Sequence, residues 1–180
     1  MLQLQKMNQI LIILVIALKF IVPAFMLRFP FQALWANYFL DVVDGDILLS
    51  LGMTDDTYQT IDKFADYISY IFMLILGRRW HIRNTVTALF AYRTIGQILF
   101  FATRNEMVFF YFQNFLEPLM MAYALILFKQ KSEEKAYQTY KKHFFLVWGI
   151  VVAYKIWNEW YLHLANIDLS LLFFGFTGGK

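Results

Sequence analysis

Apolar residues fall in six long runs that are separated by short polar or turn-forming segments. A helix needs about 20 mostly apolar residues to cross the hydrocarbon core of a bilayer. The predicted helices are 9–27, 31–52, 58–76, 86–103, 108–128 and 143–163. The pattern predicts an all-α fold, a polytopic six-transmembrane-helix bundle that forms one integral-membrane domain over residues 1–180. A shorter apolar segment, 169–176, is expected at the membrane interface.

The segments between the runs carry recognisable helix boundaries. Phe29-Pro30 predicts a turn between the first two helices, and Thr54 or Asp55 is a candidate N-cap for the third. Glu117-Pro118 indicates a kink within the fifth run, because proline disrupts the interior of a helix. The longest polar stretch, 129–142, is expected to be a solvated surface helix or loop.

Composition supports the assignment to a membrane. The chain is 60% hydrophobic and 16% charged, whereas soluble domains are about 45–50% apolar and about 25% charged. We therefore expect an integral membrane protein of the plasma (inner) membrane, in contact with membrane lipid. No stripe of interleaved basic and aromatic residues is present, so no nucleic-acid partner is expected. The chain has no cysteine, which excludes disulfides and thiolate metal sites.

Basic residues are concentrated in the first, third and fifth connections between the predicted helices. They are Arg28, Arg78, Arg79, Arg83, Lys129, Lys131, Lys135, Lys141 and Lys142. Cytoplasmic loops of membrane proteins carry an excess of lysine and arginine. This rule predicts that the three connections are cytoplasmic and that both termini lie outside.

Four aspartates interrupt the second and third apolar runs. Asp41 and Asp44 are spaced i, i+3, while Asp62 and Asp66 are spaced i, i+4, so each pair shares one helix face. A carboxylate at membrane depth is costly unless it is paired, solvated or bound to a cation, which makes such residues candidates for a functional site. Carboxylate oxygens also suit a hard divalent cation such as Mg²⁺.

Other charges in the apolar runs offer structural alternatives. The four aspartates can instead line a water-filled cavity or pair with Arg93 and Lys155. Arg93 and Glu117 are candidates for an interhelical ion pair, and Arg93 is also a candidate phosphate ligand. Lys155 and Glu159, spaced i, i+4, can satisfy each other. Lys19 is a further single charge within an apolar run.

The spacing of the aspartates resembles the signature of the CDP-alcohol phosphotransferase family. That signature reads D-x-x-D-G-x-x-A-R-x8-G-x3-D-x3-D and spans the end of the second helix and the start of the third in a six-helix fold. Aligned without gaps, its four aspartates and first glycine fall on Asp41, Asp44, Gly45, Asp62 and Asp66. Leu48 and Leu49 stand in place of the Ala-Arg, and Tyr58 stands in place of the second glycine.

The resemblance implies an activity for these residues. Family members transfer a substituted phosphate from a CDP-linked donor, such as CDP-diacylglycerol, to an alcohol acceptor in phospholipid synthesis, and they are often homodimers. By this resemblance Asp41, Asp44, Asp62 and Asp66 would bind Mg²⁺ or Mn²⁺, two ions in the family, and Asp66 would be the catalytic base. Gly45 would leave room for the substrate, and Arg93 is a further candidate for substrate binding.

Two observations keep a second interpretation open. The replaced Ala-Arg and second glycine help to accommodate the nucleotide in the family, so the alternative is a non-catalytic polytopic membrane protein with a cation-binding or vestigial acidic pocket. The basic connections also place the turn 53–57, next to the aspartates, outside the cell. In the family the catalytic pocket opens to the cytoplasm.

Overall fold

The described part of the chain, residues 2–105 and 107–163 of a computed structural model, is helical and contains no β-strand. The all-α prediction is confirmed. The helices are α1 Leu2–Ile21, α2 Pro30–Ser50, α3 Asp55–Gly77, α4 Arg83–Thr103, α5 Met107–Tyr111, α6 Leu116–Gln130, α7 Glu133–Lys142 and α8 Phe144–His163, with a 3-10 helix, Val22–Leu27, between α1 and α2. The segment 169–176, predicted to lie at the interface, is outside the described residues.

Prolines set the passage from α1 to α2. Pro23 lies at the start of the 3-10 helix and is buried, and its missing N–H ends the α-helical hydrogen bonding of α1. Pro30 occupies the first turn of α2, where an N–H would have no partner within the helix. The predicted turn at Phe29-Pro30 is confirmed.

A tight turn reverses the chain between α2 and α3. Gly52 has φ of +99°, a conformation that residues with a side chain rarely adopt. Thr54 is the N-cap residue of α3 with extended backbone, as predicted. Its hydroxyl forms a 2.8 Å hydrogen bond with the Thr57 hydroxyl instead of accepting from a backbone N–H. The turn brings the second half of α2 alongside the first half of α3.

The fifth predicted helix, 108–128, is wrong as a single element. The structure has α5 and α6 instead, and residues 112–115 between them are not helical. In a continuous helix the ring of Pro118 would clash with the carbonyl of Asn114. Because the helix restarts at Leu116, Pro118 falls in its first turn, and the backbone N–H of Glu117 donates to Asn114 Oδ1 at 3.2 Å.

Helix α6 lies at the centre of the molecule. It contacts α2, α3, α4, α7 and α8, and its side chains Leu116, Leu119 and Met120 are fully buried. Its other apolar side chains are buried or half-buried, apart from Phe128, which is 53% exposed.

The connection between α3 and α4, one of the three predicted to be cytoplasmic, contacts both the end of the 3-10 helix and α7. Arg79 Nη1 donates to the Leu27 carbonyl at 3.4 Å. The backbone N–H of His81 and the hydroxyl of Tyr123 donate to Glu133 Oε1 at 2.8 and 2.7 Å, and the His81 ring contacts the same carboxylate. Partial burial alone would raise the pKa of Glu133, but these hydrogen bonds outweigh it and lower the pKa. The polar stretch 129–142 is largely helical. Hydrogen bonds between His81 and Glu133 hold it against the α3–α4 connection.

Two helical stretches within the described residues are long and apolar enough to cross a membrane, Gln5–Leu27 and Arg83–Thr103. Helices α2 and α3 are continuous, but the aspartates interrupt their apolar sequence, and the fifth run is divided into α5 and α6. Large apolar side chains face outward on several helices, among them Ile13 on α1, Ile98 on α4 and Phe145 on α8, which is 88% exposed.

Candidate metal centre

The α2–α3 hairpin brings three of the four predicted aspartates together. One carboxylate oxygen from each of Asp41, Asp62 and Asp66 lies within 4.8 Å of the other two. Asp41 is 35% exposed, whereas Asp62 is 5% and Asp66 14% exposed, so the group is open mainly on the side of Asp41. A set of three carboxylate oxygens at this separation fits the oxygen-ligand preference of Mg²⁺ or Mn²⁺. We call Asp41, Asp62 and Asp66 the aspartate triad.

Asp44 lies beside the triad but is engaged elsewhere. Its carboxylate is fully buried; Oδ2 contacts the Lys19 ammonium, and Oδ1 accepts a 3.2 Å hydrogen bond from the Tyr58 hydroxyl. Both oxygens therefore have partners within the protein. The spacing of the signature places Asp44 on the correct helix face, and Asp44 shares the Lys19 ammonium group with Asp41 and Asp62, but it is not among the three carboxylates that lie within 4.8 Å of one another.

Lys19 enters the site from α1. Its side chain is 5% exposed, and its ammonium group contacts Asp44 and Asp62 and donates to Asp41 at 3.2 Å. Sequence reasoning missed this contact. The available signal was that Lys19 is the only charged residue in the run 9–27, and an isolated ammonium in an apolar helix requires a buried partner.

Lys63 supplies a second ammonium group from α3 itself. Its Nζ lies 2.6 Å from Asp62 Oδ2 and 3.9 Å from Asp66 Oδ2. The alternative in which the aspartates pair with basic residues is thus realised, but through Lys19 and Lys63. Arg93 donates to the Phe112 carbonyl and lies near the Tyr70 hydroxyl. Lys155 is buried on α8. The side chain of Glu159, its predicted partner, lies outside the described residues.

The side chain of Tyr58 occupies the space that Gly45, without a side chain, leaves beside the site. A Cβ atom on Gly45 would lie 2.8 Å from the Tyr58 hydroxyl oxygen and 3.1 Å from its Cζ. Tyr58 occupies the position of the second glycine in the signature. The prediction that Gly45 leaves room for substrate stays a prediction, and it now requires the Tyr58 side chain to rotate away.

Arg93 and Glu117 lie in a separate polar network next to the site. Arg93 Nη1 donates to the Phe112 carbonyl at 2.6 Å, and Nη2 lies 3.5 Å from the Tyr70 hydroxyl. Asn114 Nδ2 bridges the Tyr70 hydroxyl and Glu117 Oε2, both at 3.2 Å. The structure links Arg93 to Glu117 through Tyr70 and Asn114, without the direct ion pair that the sequence suggested.

This network is connected to the triad through Tyr70 on α3. Tyr70 is one helical turn after Asp66 on α3, so Arg93 reaches the helix that carries Asp62 and Asp66. Arg93 is 6% exposed and stacks over the Phe109 ring at 4.2 Å. Its partners in the structure are a carbonyl, a hydroxyl and aromatic faces, and its predicted role in substrate binding stays a prediction.

Comparison with protein-family models finds no match to the chain, and comparisons with curated proteins and with solved structures find none either.

Proposed function

We propose that the chain is an integral membrane enzyme of the CDP-alcohol phosphotransferase type, with six membrane crossings in the plasma (inner) membrane. Two stretches with the length and hydropathy of membrane spans support this proposal. The outward-facing apolar side chains of α1, α4 and α8 also support it, as does the placement of Lys19, Asp44 and Arg93 in the interior. Helices α5 and α6 together would make the fifth crossing, with the non-helical residues 112–115 covered by protein.

The proposed reaction transfers a substituted phosphate from a CDP-linked donor, such as CDP-diacylglycerol, to an alcohol. The alcohol oxygen would form a bond to the phosphorus of the lipid phosphate. The bond from that phosphorus to the bridging oxygen of the pyrophosphate would break, and CMP would leave with the electron pair. The observation that carries the proposal is the aspartate triad, whose oxygens lie within 4.8 Å of one another on the two helices where the signature requires them.

Each residue has a stated role in this proposal. Asp41 and Asp62 would hold a divalent cation together with Asp66, with Asp44 beside them. Bound Mg²⁺ or Mn²⁺ supplies electrostatic stabilisation of the charge that develops on the transferring phosphoryl group. Asp66, which is 14% exposed, would accept the proton of the attacking alcohol.

A second candidate function rests on Tyr58. Its phenol fills the space beside Gly45, and the neighbouring Leu48, in place of the signature alanine, is 1% exposed. These side chains favour a pocket too small for a nucleotide. The alternative is a non-catalytic membrane protein of the same architecture, whose acidic pocket binds a cation or is held closed by Lys19.

Release of CMP separates the two candidates. The purified chain is reconstituted in vesicles with CDP-diacylglycerol, Mn²⁺ and a panel of alcohols. The enzyme proposal expects CMP release from the wild type, its loss in Asp62→Asn and Asp66→Asn, and its retention in the matched control Asp56→Asn, which is an exposed aspartate in the first turn of α3. Absence of CMP release with every alcohol would support the non-catalytic alternative.

Accessibility of the α2–α3 turn tests the orientation that the reaction requires. A cysteine introduced at Thr57, an exposed position in a chain without cysteines, is labelled with a membrane-impermeant maleimide on intact cells and on inverted vesicles. CDP-linked donors require labelling from the cytoplasmic side only. Labelling of intact cells would contradict the use of a cytoplasmic donor.

A further inference from the structure

The arginines and lysines of three connections meet at one end of the bundle. Arg79 in the α3–α4 connection donates to the Leu27 carbonyl at the end of the 3-10 helix, and the same connection is hydrogen-bonded to α7. The Phe31 ring in the first turn of α2 stacks on the Phe128 ring near the end of α6, with centroids 4.6 Å apart. We call the surface that the exposed basic residues form here the basic end: Arg28, Arg78, Arg79, Arg83, Lys129, Lys131, Lys135, Lys141 and Lys142.

The acidic side chains at this end pair with a histidine and not with the basic residues. The stretches 28–29, 78–83 and 129–143 contain two acidic residues, Glu133 and Glu134, against nine basic ones. The Glu133 carboxylate contacts Nδ1 of His81, and an oxygen of Glu134 lies 3.6 Å from Nε2 of the same ring. In the part of the chain that the structure describes, none of the nine basic side chains is in an ion pair. An exposed surface of one sign attracts partners of the opposite charge.

Exposed phenylalanines adjoin the basic end. Phe29 and Phe128 each stand directly beside a basic residue in the sequence, and Phe145 lies in the first turn of α8; all three side chains are exposed. An anionic lipid carries its phosphate next to its acyl chains, so it can meet cations and phenyl rings at once. Nucleic acid and acidic proteins offer the negative charge without hydrocarbon chains beside it. The arrangement therefore favours lipid over the other polyanions.

We propose that the basic end binds the phosphate groups of anionic membrane lipids, whose acyl chains lie against the phenyl rings beside it. This inference rests on the membrane embedding in the proposed function and does not require the reaction. The planar guanidinium of an arginine can donate two hydrogen bonds to one phosphate. Each lysine or arginine near an anionic membrane surface strengthens lipid binding by about fivefold, and the effect falls off within a Debye length.

Lipid preference tests the inference on the whole chain. The purified protein is placed in phosphatidylcholine nanodiscs with a trace of spin-labelled phosphatidylglycerol or spin-labelled phosphatidylcholine. Electron paramagnetic resonance measures the fraction of each label that the protein immobilises. Both faces of a nanodisc hold the same lipids, so the result does not depend on how the chain is oriented.

The charged headgroup should decide the result. Because the label averages over all lipid positions around the protein, we expect phosphatidylglycerol to associate at least about threefold more strongly than phosphatidylcholine at about 0.01 M salt. The preference should fall below about 1.5-fold at about 1 M salt, where the Debye length is about 3 Å. Equal association of the two lipids at low salt would overturn the inference.

Two double variants with the same change in net charge locate the site. Arg78→Gln/Arg83→Gln removes two cations of the basic end, and it should lose at least about half of the preference for phosphatidylglycerol. The matched control, Lys6→Gln/Arg104→Gln, removes two exposed cations near the start of α1 and the end of α4, and it should keep the preference. Equal losses in the two variants would overturn the assignment to the basic end. If Arg78→Gln/Arg83→Gln does not fold, the wild-type comparison of the two lipids still decides the matter.

A site for free phosphate would have similar chemistry, and a change of salt distinguishes it. The wild-type measurement is repeated with sodium phosphate in place of sodium chloride at equal ionic strength. We expect the preference for phosphatidylglycerol to be unchanged, because the acyl chains hold the headgroup at the surface. Loss of the preference in phosphate alone would overturn the assignment to lipid and indicate a site for free phosphate.

Failure of the inference is distinguishable from failure of the proposed reaction. A preference for phosphatidylglycerol without CMP release would uphold the inference and refute the enzyme. Release of CMP by a chain that shows no lipid preference would uphold the enzyme and refute the inference.

Discussion

Replacement of Gly45 by alanine should destabilise the protein through a single neighbour, the hydroxyl of Tyr58. The new methyl group would lie 2.8 Å from that oxygen and 3.1 Å from Cζ, so the phenol must move and release Asp44. Loss of a hydrogen bond to a charged group costs about 1.5–3 kcal/mol, and residual overpacking adds about 1–3 kcal/mol. Alanine recovers about 1 kcal/mol relative to glycine within a helix. We expect a net loss of about 1.5–5 kcal/mol in the free energy of unfolding.

A double-mutant cycle with Tyr58→Phe isolates this contact. Tyr58→Phe alone should lose about 1.5–3 kcal/mol, because the buried Asp44 carboxylate loses a donor. In Gly45→Ala/Tyr58→Phe the clashing oxygen is absent, so only the lost hydrogen bond less the gain from alanine remains, about 0.5–2 kcal/mol, well below the sum of the two single losses. The assay is equilibrium unfolding of the purified chain in detergent, followed by circular dichroism.

Gly149→Ala is the control for the intrinsic effect of alanine. A Cβ atom on Gly149 would meet no atom within 4 Å, and the residue lies inside α8. This variant should be unchanged or more stable by about 0.5–1 kcal/mol. Additivity of Gly45→Ala and Tyr58→Phe to within about 0.5 kcal/mol would refute the placement of the Tyr58 hydroxyl against Gly45.

Two further predictions concern the polar contacts away from the triad. Asn114→Ala removes the acceptor for the Glu117 N–H and the donor to the Glu117 carboxylate, so the free energy of unfolding should fall by about 2–4 kcal/mol. The control is Asn84→Ala at an exposed position, which should change the free energy of unfolding by less than about 0.5 kcal/mol. Equal losses in the two variants would contradict the role of Asn114. The pKa of Glu133 is lower in the folded chain, so its contribution is present above the ordinary glutamate pKa of 4.5 and is lost as the pH falls through the lower folded value. Thermal unfolding between about pH 3 and pH 6 should therefore show a smaller acid-side decrease in midpoint for Glu133→Gln than for the wild type, and parallel profiles would refute the assignment.

The apolar runs predict where most helices lie, because each run is long and its ends carry turn signals such as Pro30 and Thr54. They hide the division between α5 and α6, since the two polar residues there, Gln113 and Asn114, stand between Phe112 and Phe115 in a run that is apolar on both sides. The departure from helix there depends on Asn114 and on the guanidinium of Arg93, a residue from another helix. Such a contact has no signature in local periodicity.

The candidate site was predictable to a similar degree. Spacing along two helices places Asp41, Asp62 and Asp66 within reach of one another, because helix faces follow from sequence. Spacing does not reveal that Asp44 turns to Lys19, since that contact depends on how α1 crosses the α2–α3 hairpin. The filling of the space beside Gly45 by Tyr58 likewise depends on the approach of two helices.

Two of the buried cations, Arg93 and Lys19, are separated from their partners by different lengths of chain. The carbonyl that accepts from the Arg93 guanidinium belongs to Phe112, 19 residues later in the chain, so in the proposed membrane protein α4 and the segment that follows it would enter a bilayer with this hydrogen bond formed. The carboxylates that receive Lys19 lie 22, 25 and 43 residues later. In the proposed membrane protein, α1 would therefore carry a lysine without these partners until the α2–α3 hairpin had followed. The ammonium group can remain near the headgroups over that interval because a long side chain reaches the interface. Arrival of the hairpin would then supply the partners of this ammonium group, so the final depth of α1 would depend on the placement of α2 and α3.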